Sequence, residues 1–147
     1  GSLSLRDHSE PHFGFNQVLG QDYAHLKMQA VVEGRDDLDL SKSVIKTMIE
    51  NTPDLIGIYS AGAGNRGIAQ ALIESGKADQ IVWIGHELTT HTRRFLLQGT
   101  MDAVINQDAG HEARSAARLL LAHCWGEPIL EDQERIRIDI FIKDNVP

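Results

Sequence analysis

Gly62, Gly64 and Gly67 stand in a G-x-G-x-x-G spacing within "YSAGAGNRGIAQAL", residues 59–72, after an apolar run at 55–58. A strand, a glycine turn and a helix start are what a dinucleotide needs. The backbone then approaches the pyrophosphate, and an acid about 20 residues on holds a ribose hydroxyl. Glu87 ends the next strand pattern, twenty residues after Gly67. This would be the chemistry of an NAD(P)-dependent oxidoreductase. Two features oppose it. The fingerprint normally opens the first βαβ unit of its domain, whereas two strand candidates lie earlier in this chain, and no catalytic acid or base partner is evident. The same glycines also suit a tight turn and close helix packing, which accounts for Gly67 in particular.

The other reactive groupings are weaker. "HELTTH", residues 86–91, resembles a zinc motif, but its histidines are five apart and His86 closes a strand pattern. Zinc binding of that kind needs histidines at i and i+4 on one helix face, so no metal is expected. His8 and His12 are four apart with Pro11 between them and read as solvated surface. Trp83 sits mid-strand and reads as core, with sugar stacking a secondary role for it and for Trp125. Arg93 and Arg94 read as solvated or interfacial. Glu87 and Gln107 are more informative, because each ends a strand pattern. A carboxylate can accept two sugar hydroxyls, and an amide can donate and accept; dispensable surface is the competing reading for both. Ser60 and Tyr59 could add polar contacts at the neighbouring strand end, while Asn106 and Asp108 flank Gln107 and point to other faces.

These residues need elements to hold them. Residues 14–23 read as a helix or part of one, and "LKMQAVVEG", 26–34, as a strand candidate. Asp39 or Ser41 can cap a helix carrying Val44, Ile45, Met48 and Ile49 at helical spacing. "LIGIYSAG", "QIVWIGHE" and "MDAVINQD" read as strands, each followed by a helical pattern, two of which end at Gly76 and Gly99. "RIRIDIFIKD" alternates as an edge strand does. Short apolar strands alternating with helices predict an α/β fold: a doubly wound, mainly parallel sheet of four parallel strands and an edge strand, with helices on both faces. Ligands of such sheets sit beyond the carboxyl ends of the strands.

The 147 residues suffice for one domain, at 41% apolar and 24% charged. A net charge of −7 and no Lys/Arg run argue against a nucleic-acid surface on this chain. No apolar run approaches the roughly 20 residues of a membrane span. Cys124, the single cysteine, excludes an internal disulfide and reads as a buried, inert thiol, in keeping with a reducing cytosol. Gly1-Ser2 is either a protease scar or native, and the chain reads as a fragment in which a missing targeting signal carries little weight.

The order of motifs resembles the C-terminal part of the effector-binding domain of a lactose-repressor (LacI) family transcriptional regulator, which has the type I periplasmic-binding-protein fold. "HFGFNQVL" resembles the helix after that family's R-x-x-G-F motif, and "PDLIGIYSAGAGNRGIAQALIESGK" its strand, loop and G-x-x-x-A-L helix. "QIVWIGHE" and "LLQGTMDAVINQD" resemble its next two strands. The resemblance implies a partial ligand-binding domain, with residues 1–25 a remnant of the first lobe plus connecting helix and 26–147 the C-terminal lobe. It also implies a small-molecule effector, a sugar or derivative. Glu87 then stands where the family has an Asp that binds ligand hydroxyls, and Gln107 matches its pocket Gln. The loop Asn falls at Ser60 or Ala61 and the motif Arg at Pro11, for which Arg6 could substitute. The implied protein is cytoplasmic, homodimeric, allosteric and without cofactor. It is not an enzyme, and DNA contact would belong to a domain absent from this chain. A sugar receptor of an ABC transporter is the alternative within the fold.

Overall fold

The computed structural model describes residues 6–147, with side chains from Glu10 onward. Three apolar, β-branched runs form β1 (Gly57–Ser60), β2 (Val82–His86) and β3 (Ala103–Gln107), and the alternating segment forms β4 (Ile138–Phe141). Their order in the sheet is β1-β2-β3-β4. The first three are parallel, and β4 runs antiparallel to β3. The helices are α1 (Arg6–Asp22), α2 (Leu38–Asn51), α3 (Asn65–Glu74), α4 (Thr90–Gln98), α5 (Ala109–Trp125) and α6 (Glu131–Glu134).

The register aligns Ile58 with Trp83, Ser60 with Gly85, and Gly85 with Val104, so these residues share one face. α2, α3 and α4 bring Ile45, Ile68, Leu72, Phe95 and Leu96 into the core with Trp83 and Val104. Trp83 is fully buried, its ring centroid 5.9 Å from that of Phe95. The other face carries Tyr59, Ile84 and His86. There Phe15 of α1 stacks on Tyr59 with ring centroids 4.7 Å apart. Helices therefore meet both faces, as a doubly wound α/β sheet requires. Thr89 opens α4 through a capping box with Thr92, and Gly99 ends it in the left-handed conformation at φ 74°.

Several expectations are corrected. The parallel strands number three, because residues 26–34 join no ladder. That segment lies opposite β1, and between them is an apolar cavity of about 690 Å³ lined by Met28, Val31, Ile45, Met48 and Ile58 among others. Its apolar residues favour extended backbone, but pairing depends on a partner elsewhere in the chain. Asp37, not Asp39 or Ser41, caps α2, its Oδ1 accepting from Leu40 N at 2.7 Å. Ser41 is buried instead, donating to the Gly34 carbonyl. α1 spans Arg6–Asp22 and runs through Pro11, so the stretch read from Gly14 is part of a longer helix. His12 is half-buried, with Asn16 Nδ2 2.9 Å from its Nε2, so it is not plain solvated surface; the His8 side chain lies outside the described residues. Cys124 is exposed, because the sheet does not cover the C-terminal turns of α5, where Leu120 and Trp125 also face solvent. Arg93 and Arg94 are exposed as expected, Arg93 Nε donating to the Pro147 carbonyl.

α5 holds α6 through the Glu134 carboxylate and through the Gln133 carbonyl, which lies 2.7 Å from His111 Nε2. Arg118 donates twice to Glu134, from Nε and Nη2 at 2.7 Å each, and Ser115 Oγ donates to the same group. Arg118, then Ser115, hold the Glu134 carboxyl down at about 2. Because the folded-state value lies below the unfolded one, the stabilisation is present above the ordinary glutamate range and is lost as pH falls toward about 2. The Trp125 indole resonance, beside α6, is expected to report this acid transition in the wild type and to lack it in Glu134→Gln. Identical acid titrations in the two proteins would contradict the anchoring role.

Among the described residues, no helix is long and apolar enough to cross a membrane. No group of three or more His, Cys, Asp or Glu among them could hold a metal ion.

Candidate functional site

β1, β2 and β3 end side by side at Ser60, His86 and Gln107. The loops beyond them carry the candidate residues. Glu87 follows β2 with φ 67°, a left-handed conformation that is uncommon outside glycine. Its backbone is tied on both sides. Its N–H donates to the Ile105 carbonyl at 2.9 Å, and its own carbonyl accepts from Thr92 Oγ1 at 2.7 Å and Thr89 N at 3.0 Å. The turn takes Glu87 out of the strand alternation and leaves the residue exposed. Partial burial, then the charge of Glu112, push its carboxyl above the ordinary glutamate range. Glu112 lies in the first turn of α5, which begins two residues after Gln107. The Glu87 carboxylate is therefore within electrostatic reach of the end of β3.

Gln107 is exposed and closes β3, opposite Ile138. Its neighbours are committed to structure: Asn106 Oδ1 accepts from Leu88 N at 2.9 Å, and Asp108 Oδ1 caps α5 by accepting from His111 N at 2.8 Å. Among the described residues, the side chains of Glu87 and Gln107 form no hydrogen bond within the protein. Two polar groups at adjacent strand ends thus keep their bonding capacity for something else.

Ser60 is placed differently. Its hydroxyl donates to Asn65 Oδ1 and accepts from Trp83 Nε1, both at 3.0 Å. Asn65, buried at the start of α3, reaches the His86 carbonyl at 3.5 Å. Ser60 is thus a strut between core and loop. Ala61 is half-buried and can offer only backbone polar groups. The Arg6 side chain lies outside the described residues. Sequence reasoning assigned no role to Asn65, although an amide directly after a glycine loop and at a helix start was the available signal. It also missed the pairing of Tyr59 with His86, whose hydroxyl and Nε2 lie 2.6 Å apart. Burial pushes the Tyr59 phenol up, so it stays protonated at neutral pH and can donate to that nitrogen.

The glycine spacing has a packing explanation. A Cβ on Gly67 would collide with the Leu38 carbonyl oxygen and lie 2.8 Å from Lys42 N, both backbone atoms of α2. A Cβ on Gly64 would collide with Ser41 Oγ. The large cavity along β1 touches Ser60 and Ala61 but neither Glu87 nor Gln107, and its walls are mainly apolar. A saccharide needs several hydrogen-bonding partners, so the polar strand ends suit it better.

The chain matches the periplasmic binding protein domain family over residues 1–128. It belongs to that family. As a periplasmic binding protein domain it resembles AraP, an arabinose-binding protein of Geobacillus stearothermophilus, at 22% identity and a TM-score of 0.82, over 98% of this chain and 52% of that one. A sugar-binding protein of a sugar ABC transporter from Bacillus halodurans gives 23% identity and 0.84, over 96% of this chain and 52% of that one. A carbohydrate transporter solute-binding protein from Agrobacterium radiobacter, in complex with D-arabinose, gives 22% and 0.80, over 91% and 45%. At these identities the likeness shows the fold. The chain spans about half the length of these solved proteins. No curated protein matches it in sequence.

Proposed function

We propose that this periplasmic binding protein domain is the sugar-binding lobe of a transport receptor, and a binding module rather than an enzyme. In this reading residues 26–147 are the C-terminal lobe, and residues 1–25 are a remnant of the first lobe with the connecting helix. The observation that carries the reading is the pair Glu87 and Gln107, exposed at adjacent strand ends, whose side chains form no hydrogen bond among the described residues. The carboxylate would accept two sugar hydroxyls, and the amide would donate to one and accept from another. A second lobe would close over the sugar and exclude water. A transport receptor is favoured over a LacI-type regulator because the structural neighbours are described as sugar-binding proteins of transporters. Its place of action is then the outer side of the cytoplasmic membrane. The cytoplasmic location, homodimer and DNA contact belong to the regulator reading.

D-arabinose, bound in one neighbour, is the first probe, and arabinose is also named for a second. In a nuclear magnetic resonance titration of the 147-residue chain, we expect saturable shifts at Ser60, Ala61, Glu87 and Gln107. Saturable shifts confined to other surfaces, or none with any pentose or hexose, would refute the reading. Glu87→Ala is expected to weaken binding by about 100-fold, since each lost hydrogen bond to a charged group is worth about 1.5–3 kcal/mol. Because the Glu87 carboxyl lies above the ordinary glutamate range, it gains its proton sooner as pH falls, and affinity should decline before that range is reached. Glu87→Gln should flatten that pH dependence.

A further inference from the structure

We propose that Asp36 is a positioning residue that clasps the loop at 61–64 and fixes its backbone amides for the ligand, an inference that rests on the sugar-binding reading. The loop reads Ala-Gly-Ala-Gly, so it has no side chain able to hold it in place. Left alone, such a segment would sample many conformations. Asp36 supplies an external bond: its Oδ1 accepts from Ala63 N at 2.8 Å, across 27 positions of sequence. The loop is otherwise anchored at its two ends, by Ser60 bonded to Asn65 and by Gly64 seated against Ser41.

The clasp is held in an uncommon backbone. Arg35 at φ 48° and Asp36 at φ 58° are consecutive left-handed residues, and neither is glycine. With Glu87 they are the three positive-φ non-glycine residues among those described. Such conformations persist where surrounding structure over-determines them, and they gather at ligand sites. Here the surroundings are visible. Asp37 N donates to the Gly34 carbonyl at 2.9 Å, closing the turn, and Asp37 caps α2. The turn is thereby locked to α2, and its middle residue aims a carboxylate at the loop. A loop fixed in advance loses less freedom when the sugar binds. Asp36 acts through the Ala63 amide; it need not touch the sugar.

Two variants of the 147-residue chain separate this role from a merely structural one. Asp36→Gly removes the acceptor while accepting the left-handed backbone without strain. Asp36→Asn keeps a side-chain oxygen and also tolerates that backbone. In Asp36→Gly the Ala63 amide should exchange with solvent at least about tenfold faster, with the melting temperature near wild type and D-arabinose affinity reduced about five- to tenfold. Asp36→Asn should restore both exchange and affinity. Unchanged Ala63 exchange in Asp36→Gly would overturn the clasp, and faster exchange with unchanged affinity would overturn its link to binding. If the wild type binds no sugar, the sugar-binding reading and the link to binding both fall, while the exchange rates still decide whether the clasp exists.

Discussion

Trp83→Ala is expected to remove about 3–5 kcal/mol of folding stability, the usual cost of deleting a fully buried aromatic side chain. Trp83 is 0% exposed and sits between the helices of the core and the sheet. Its loss opens a cavity against Phe95 and also leaves the Ser60 hydroxyl without the indole donor. The damage therefore spreads from core to site through Ser60 and Asn65. Urea denaturation followed by circular dichroism measures it, since Trp125 would dominate the remaining fluorescence. Trp83→Phe keeps most of the ring and loses the donor, so it should cost less. A loss below about 1 kcal/mol in the alanine variant would mean the surroundings collapse to fill the space, and that Trp83 is not central to the core.

Gly67→Ala comes next, at about 3 kcal/mol, the upper part of the range for overpacking. The added methyl meets the Leu38 carbonyl oxygen and Lys42 N at the start of α2, and helix backbone atoms cannot step aside as a flexible side chain can. α2 and α3 would have to separate, carrying with them the Ser41 contact that seats the loop before α3. The same denaturation experiment tests it. Wild-type stability in Gly67→Ala would show that the two helices slide apart freely and that this glycine is not there for their crossing. The outcome also bears on the G-x-G-x-x-G spacing: a steep cost assigns Gly67 to helix packing, without any phosphate.

Much of the fold was legible because burial leaves a periodic trace. The runs that became β1, β2 and β3 are apolar and β-branched, and each precedes an amphipathic stretch with a recognisable stop, such as Gly99 after α4. Glu87 and Gln107 stood out for the same reason, as polar residues at the points where apolar runs cease. Residues 26–34 show the limit. Their composition favours extended backbone, but whether that backbone finds a ladder depends on the edge of β1, roughly 30 residues away. Cys124 shows it again: an apolar helical pattern predicts a covered face, while the cover must come from another element.

The sequence by itself determined the alternation of strands and helices, Trp83 as core, and the two polar strand ends, because side-chain periodicity is a local consequence of which face meets water. The tertiary structure alone decided that β4 runs antiparallel, that Ser60 is a strut to Asn65 and Trp83, and that Asp36 reaches Ala63. Apart from the Ser60–Asn65 bond, these join residues far apart in sequence, and chain folding, not spacing along the chain, chooses their partners.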